Sequence, residues 1–119
     1  MIPRGYGRII NIGSVTSVAG YAGLGPYGAS RGGIRQLTMS LADDWGKHGI
    51  TVNCLAPGWI RTAWGEGASS PWQERVLRET PLRRWGTPED VAAAARWLAS
   101  PAARFLTGQV IRINGGAVR

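Results

Sequence analysis

Cysteine, histidine and lysine are scarce in this sequence, and the scarcity excludes several kinds of protein. Cys54 is the single cysteine, which excludes an internal disulfide and a zinc site built from several cysteines. No apolar run follows residues 1–4, so we expect no signal peptide. The longest uncharged run, residues 9–30, contains several glycines, a proline and hydroxyl groups, which argues against a membrane span. We expect a cytoplasmic protein with no membrane partner and no bound metal.

Acidic residues are also few, 7 against 14 basic ones, and the formal net charge is +7. Such a surplus is typical of proteins that bind nucleic acid or anionic substrates. The arginines are scattered, however, and no run is longer than Arg83-Arg84. We therefore expect an arginine-biased composition and no nucleic-acid partner; the alternative, nucleic-acid binding, depends on charge alone.

Hydrophobic residues make up 44% of the 119 residues and six are tryptophan, which excludes a disordered chain. Short apolar, β-branched segments predict three strands, and helical patterns fill the intervals between them. Capping signals support two helix starts, Ser70-Pro71-Trp72-Gln73 and Thr87-Pro88-Glu89-Asp90. The strands are predicted at 7–12, 49–55 and 109–113, and the helices at 26–46, 70–80 and 87–99.

The predicted order β-α-β-α-α-β indicates an α/β fold with parallel strands and right-handed crossovers. Three parallel strands make a poor closed unit, because parallel sheets are normally covered on both faces and have more strands. We therefore expect residues 1–119 to form the C-terminal half of a doubly wound, Rossmann-like parallel sheet. The uncovered first strand then leaves an apolar edge, which favours self-association.

Three polar side chains are predicted to meet at the carboxyl end of this sheet. Ser14 directly follows the first strand, and Tyr27 and Arg31 lie four residues apart on one helix face. A tyrosine that acts as an acid near neutral pH needs a pKa lowered by about 3 units, or about 4 kcal/mol. One cation at about 4 Å supplies about that energy at an effective dielectric constant near 20. Spacing alone nevertheless favours a simpler interpretation, in which Ser14 is a turn hydroxyl, Tyr27 a surface ring and Arg31 a solvated charge.

Six short segments follow one another in a fixed order along nearly the whole chain. Together they resemble the C-terminal half of the short-chain dehydrogenase/reductase family, most closely its bacterial 3-oxoacyl-acyl-carrier-protein reductases and its sugar or polyol dehydrogenases. Each motif is weak alone, but their common order is specific. The segments are Gly7-Arg8-Ile9-Ile10-Asn11-Ile12-Gly13-Ser14, Tyr27-Gly28-Ala29-Ser30-Arg31-Gly32-Gly33, Ile50-Thr51-Val52-Asn53, Pro57-Gly58-Trp59-Ile60-Arg61-Thr62, Thr107-Gly108-Gln109 and Asn114-Gly115-Gly116.

The resemblance implies an enzyme that interconverts a ketone and a secondary alcohol, a small-molecule substrate, by hydride transfer with NAD or NADP. It implies that Ser14 hydrogen-bonds the substrate oxygen and that Tyr27 is the general acid/base. It also implies that Arg31 contacts the nicotinamide ribose and assists Tyr27. The loop matched to the nicotinamide carboxamide and phosphates contributes Pro57, Gly58, Ile60 and Thr62.

The resemblance extends to substrate binding and assembly. Residues 63–85 match the family's variable substrate lid, where Trp64, Trp72 and Trp85 either line a substrate pocket or pack in the core. The helix that starts at Pro26 resembles one that the family uses for dimer packing. We therefore expect a homo-oligomer in the full-length parent.

Two departures from the family pattern bear on activity. The family has lysine where this chain has Arg31, and a planar guanidinium does not replace an ammonium conservatively at a fitted site. The family's glycine-rich phosphate loop and its upstream catalytic asparagine are absent from the 119 residues. We therefore expect little or no activity from these residues alone. The alternative is a truncated or decayed dehydrogenase half that acts only as an association module.

Four further features are interpreted as structural. We expect His48 at the surface, Cys54 buried in an apolar strand, Asp43-Asp44 on a solvated helix face and Trp97 in the core.

Overall fold

A parallel three-stranded sheet forms the centre of the molecule. The structure, a computed structural model, describes residues 1–63 and 67–117. The strands β1 (Gly7–Ile12), β2 (Ile50–Pro57) and β3 (Val110–Ile113) lie in that order, and both pairs are parallel. The predicted α/β, Rossmann-like class is thereby confirmed. β2 begins one residue later than predicted and continues two residues further, because its last residues pair with β3.

In the part of the chain that the structure describes, three α-helices connect these strands. They are α1 (Gly25–Trp45), α2 (Ser70–Glu79) and α3 (Pro88–Ala99). Pro26 occupies the first turn of α1, where its missing N–H leaves no hydrogen bond unmade. A 3-10 turn at Gly46–His48 extends α1, and Gly49 then turns the chain into β2 with a φ of 71°. As predicted, α2 ends where Thr80 precedes a proline.

The two capping predictions have different outcomes. At α3, Thr87 is the N-cap residue, as predicted, and its N–H donates to the Asp90 carboxylate at 2.8 Å. At α2 the predicted capping box is wrong, because the N-cap residue is Ser69 and its side chain makes no capping hydrogen bond. The Gln73 amide instead reaches back past the cap and donates to the Ala68 carbonyl at 2.9 Å.

The sheet is covered on both faces, which gives three layers. Successive residues of β1 point to opposite faces, so Ile9 packs on the α1 side and Ile10 on the α3 side. On the α1 side the buried core consists of Ala42, Ile50 and Val52. On the α3 side it consists of Leu55, Leu98 and Ala103. The central strand β2 is therefore buried on both faces, which explains its nearly continuous apolar sequence.

The features interpreted as structural have different outcomes. Cys54 is completely buried and Asp43 and Asp44 are exposed, as expected. His48 is half-buried. The prediction that Trp97 belongs to the core is wrong, because its side chain is 45% exposed on the outer face of α3.

The edge of β1 opposite β2 has no strand partner in the described part of the chain. Ile12 at the end of that strand is 50% exposed. Across residues 1–63 and 67–117, no helix combines the length and apolar character needed to cross a bilayer.

Candidate active site

The turn after β1 fixes Ser14 at the carboxyl end of the sheet. The Gly13 N–H donates to the Leu55 carbonyl at 2.7 Å, which ties the turn to β2. Ser14 is buried, its Oγ accepts the Thr16 N–H at 3.2 Å, and its own N–H donates to Ser17 Oγ at 3.2 Å. Because Ser14 Oγ accepts in this turn, its hydroxyl hydrogen remains available to a ligand.

Gly13 is required by the close packing under this turn. A Cβ at this position would lie 2.8 Å from Cys54 Sγ and 2.8 Å from Ser17 Oγ. The absence of a side chain therefore lets β1 pass directly over the thiol and turn into Ser14.

Tyr27 and Arg31 meet on the first turns of α1, as their spacing predicts. The Arg31 guanidinium lies over the Tyr27 ring, 4.9 Å from its centroid. Arg31 Nη1 also donates to the carbonyl of Ile12, the last residue of β1, at 3.3 Å. Arg31 thus connects the tyrosine to the end of the strand that precedes Ser14. Arg31 Nε is buried and has no hydrogen-bond partner in the described structure.

The segment after β2 is held against β3 and the segment before α3. The Gly58 N–H donates to the Ile113 carbonyl at 3.0 Å, and a Cβ on Gly58 would lie 2.8 Å from that of Asn114. Ile60 forms an isolated parallel bridge with Gly86. Only glycine at position 58 permits the close approach to Asn114, and this approach fixes the path of the loop.

These elements enclose a cavity of about 500 Å³, which we call the serine–tyrosine cavity. Six of the predicted site residues line it: Ser14, Tyr27, Arg31, Pro57, Gly58 and Ile60.

Two further site residues were predicted, Thr62 and Trp64. Thr62 is exposed and is absent from the cavity wall. Trp64 lies outside the described residues.

The sequence reasoning missed three residues that share the site: Tyr21, Leu24 and Trp59. All three line the serine–tyrosine cavity and also an adjoining cavity of about 650 Å³. Trp72 lines the adjoining cavity, and Trp85 lines the serine–tyrosine cavity. Trp59 belongs to the loop motif at residues 57–62, so its position next to Gly58 could have identified it as a site residue. Tyr21 lies in a loop without periodicity, and no sequence pattern identified it.

Burial controls the titration of two groups near the site. Burial, reinforced by the negative charge of Glu79, raises the pKa of Tyr21, while Arg75 partly offsets the effect. Burial likewise raises the pKa of the Cys54 thiol. Both side chains are therefore neutral at pH 7. Among the described residues, no three potential metal ligands of the His, Cys, Asp or Glu type come together.

The serine–tyrosine cavity combines two hydroxyl donors and a cation with apolar walls. A carbonyl oxygen bound between a serine and a phenol can accept two hydrogen bonds, and the phenol can transfer a proton to it. A neighbouring guanidinium stabilises the negative charge left on the phenol oxygen. The arrangement suits proton transfer at a carbonyl or alcohol oxygen.

Known proteins resemble this chain over nearly its whole length. A family model described as enoyl-(acyl carrier protein) reductase matches residues 1–118. Gluconate 5-dehydrogenase of Gluconobacter oxydans is 42% identical over 118 residues, which are 98% of this chain and 46% of that enzyme. The 3-oxoacyl-acyl-carrier-protein reductase of Rickettsia prowazekii is 42% identical over 116 residues, 98% of this chain and 48% of that enzyme.

Among solved structures, the chain is similar to a gluconate 5-dehydrogenase from Burkholderia cenocepacia in complex with NADP and tartrate. The TM-score is 0.93 at 37% identity, and the match covers 98% of this chain and 46% of that chain. The chain thus spans about half the length of the curated relatives it matches. The family match over nearly all residues and the shared fold together show that the chain belongs to the short-chain dehydrogenase/reductase family.

Proposed function

We propose that the chain provides the reacting groups of an NAD(P)-dependent oxidoreductase that interconverts a ketone and a secondary alcohol. The observation that supports this most is the single cavity lined by Ser14, Tyr27 and Arg31. The substrate is a small-molecule carbonyl or alcohol compound, which agrees with the named activities of the relatives.

Tyr27 and Ser14 act on the substrate oxygen. In the direction of reduction, the Tyr27 hydroxyl gives its proton to the carbonyl oxygen as that oxygen becomes an alcohol. The Ser14 hydroxyl donates a hydrogen bond to the same oxygen and fixes its position. In the direction of oxidation, the Tyr27 phenolate takes the proton back.

Arg31 serves both the tyrosine and the cofactor in this proposal. Its guanidinium over the Tyr27 ring stabilises the phenolate form during turnover. Its buried Nε lacks a partner in the described structure, so it fits the need to bind a ribose hydroxyl.

The nicotinamide end of the cofactor fits the serine–tyrosine cavity. Beside it, the proposed contacts to the carboxamide and phosphates come from Pro57, Gly58, Ile60 and Thr62. When bound, NAD(P)H supplies the hydride that reduces the carbonyl carbon, which is chemistry that no side chain offers.

The adenine end of the cofactor has no counterpart in the 119 residues. No Gly-x-x-x-Gly-x-Gly segment occurs, and such a loop is what binds the pyrophosphate in the family. We propose that residues 1–119 are the catalytic and substrate-lid part of a Rossmann-like domain, and that alone they have little or no activity. The buried Cys54 thiol agrees with a reducing, cytoplasmic location.

A second candidate function is a non-catalytic association module. The free edge of β1 and the exposed Ile12 beside it favour pairing with another chain. Arginine in place of lysine at position 31 favours loss of catalysis. The same edge and the exposed face of α1 support our proposal of a homo-oligomer in the full-length parent.

A chimera distinguishes the two functions. The 118-residue segment of the Gluconobacter oxydans enzyme that matches this chain is replaced by this chain, so that the rest of that enzyme binds the dinucleotide. NADH and NADPH oxidation is then measured with a panel of ketones. The catalytic proposal predicts turnover by the chimera and none by the isolated chain.

The variant Arg31→Lys distinguishes a catalytic site that has lost its activity from a wrong assignment of the catalytic function. If the folded chimera is inactive but Arg31→Lys restores turnover, the module interpretation is correct and Arg31 is the cause. If both are folded and inactive on every ketone, the catalytic assignment is wrong.

A further inference from the structure

The serine–tyrosine cavity continues into the adjoining cavity of about 650 Å³, which we call the tryptophan cavity. Tyr21, Leu24 and Trp59 form walls of both. The nicotinamide end of the cofactor is assigned to the serine–tyrosine cavity, and among the described residues the space that adjoins it for a substrate's body is the tryptophan cavity. A substrate whose carbonyl lies between Ser14 and Tyr27 therefore extends into the tryptophan cavity.

Three of the nine residues that line the tryptophan cavity are aromatic, and their rings fix one another in position. Trp59 packs edge-to-face against Trp72 at 5.0 Å and 88°, and against Tyr21 at 6.3 Å and 80°. Trp59 is also braced by Trp85 at 6.5 Å. Rings held in this way present a rigid apolar surface, which favours a ligand that is itself apolar and flat.

The positive charge of Arg75, which lines the tryptophan cavity, is paired with the negative charge of Glu79. Arg75 Nε donates to Glu79 Oε1 at 2.8 Å, and the Arg75 guanidinium lies 5.5 Å from the Trp72 ring centroid. Tyr21 is kept neutral by its surroundings. A carboxylate bound at Arg75 would lie close to the negative charge of Glu79, which offsets much of its attraction to the guanidinium. A polyhydroxylated ligand would lose water along the faces of the rings, which offer no hydrogen bonds in return.

We propose that the substrate is a neutral ketone or secondary alcohol with a bulky, ring-containing apolar body that lies against Trp59 and Trp72. The inference rests on the proposed function for the position of the carbonyl. It assigns a substrate class different from the gluconate named for the relatives, and it makes Trp72 a specificity-determining residue.

Binding to the 119-residue chain tests the substrate class without any need for cofactor or turnover. The probes are 2-acetylnaphthalene, a neutral bicyclic ketone, and 5-ketogluconate, a polyhydroxylated keto acid, each titrated by calorimetry. We expect a Kd of about 0.1 mM for 2-acetylnaphthalene, as befits a ligand of this size. We expect binding at least about tenfold weaker for 5-ketogluconate.

Matched tryptophan variants locate the binding surface. Trp72→Leu is expected to weaken 2-acetylnaphthalene binding about tenfold, which corresponds to about 1.4 kcal/mol. Trp72→Phe, which keeps a ring, is expected to weaken it about threefold or less. The control Trp97→Leu removes an exposed tryptophan that lines none of the described cavities and is expected to leave Kd unchanged. Circular dichroism verifies that each variant is folded.

The outcomes separate this inference from the proposed function. Tighter or equal binding of 5-ketogluconate, or a folded Trp72→Leu variant with unchanged affinity, overturns the substrate class even if the chimera reduces ketones. Conversely, selective binding of the bicyclic ketone that depends on Trp72 supports the substrate class even if the chimera transfers no hydride.

Discussion

The variant Gly13→Ala tests how the sheet positions Ser14. The new methyl group would start 2.8 Å from both Cys54 Sγ and Ser17 Oγ, whereas ordinary contact begins at 3.4 Å. Each neighbour must therefore move by about 0.6 Å, and overpacking of this kind costs about 1–3 kcal/mol. Moving Ser17 Oγ also breaks its hydrogen bond from the buried Ser14 N–H, at about 1–3 kcal/mol.

We expect Gly13→Ala to lower the free energy of unfolding by about 2–4 kcal/mol, since the two costs overlap. Urea denaturation followed by circular dichroism measures the change. Replacing Cys54 by alanine removes one of the two contacts, so the cost of Gly13→Ala in that background should fall by about 1 kcal/mol. The control Gly33→Ala, exposed on α1 with open space around its Cβ, should instead gain about 0.5–1 kcal/mol. A cost below about 0.5 kcal/mol for Gly13→Ala would refute the packing argument.

Two further predictions concern stability. Leu98 lies on the buried face of α3, and Leu98→Ala should lower the free energy of unfolding by about 2–5 kcal/mol in urea denaturation. The control Phe105→Ala changes a fully exposed side chain and should alter that free energy by less than about 0.5 kcal/mol. Hydrogen bonds from Arg84 and from the Thr87 N–H lower the pKa of Asp90 from 3.8 to about 2, so the stabilisation is present above pH 3.8 and is lost as pH falls through about 2. Asp90→Asn should thus lower the Tm at pH 7, and the deficit should be much smaller at pH 2; an equal deficit at both pH values would contradict this.

Local signals in the sequence were sufficient for the order of elements and the ends of most helices. Proline and glycine act through their own backbone restrictions, so Pro26, Gly49 and the Thr80-Pro81 boundary could be placed without knowledge of neighbours. Ser70 failed as a cap because two serines stand side by side, and the choice between them depends on how the preceding loop arrives. Trp97 failed because a large apolar side chain does not by itself mark the buried face of a helix, and its neighbour Leu98 occupies that face instead.

The candidate site was predictable where its residues are close in sequence and less so where packing brings them together. The four-residue spacing of Tyr27 and Arg31 is enough to stack one on the other. The contribution of Tyr21 depends on the loop folding back over Trp59, which is a tertiary contact with no local pattern. Likewise, nothing in the sequence indicated that Arg31 Nη1 reaches the carbonyl of Ile12.

The most direct test of the central claim is the rate of ketone-dependent NAD(P)H oxidation by the chimera and by its Tyr27→Phe variant. Phenylalanine keeps the ring beneath Arg31 and removes only the proton that the substrate oxygen receives. We predict that the variant remains folded, still binds the ketone and loses about 10²–10⁴-fold in kcat. A folded Tyr27→Phe chimera whose kcat stays within about threefold of its parent would show that a group other than Tyr27 transfers the proton, and would contradict the claim.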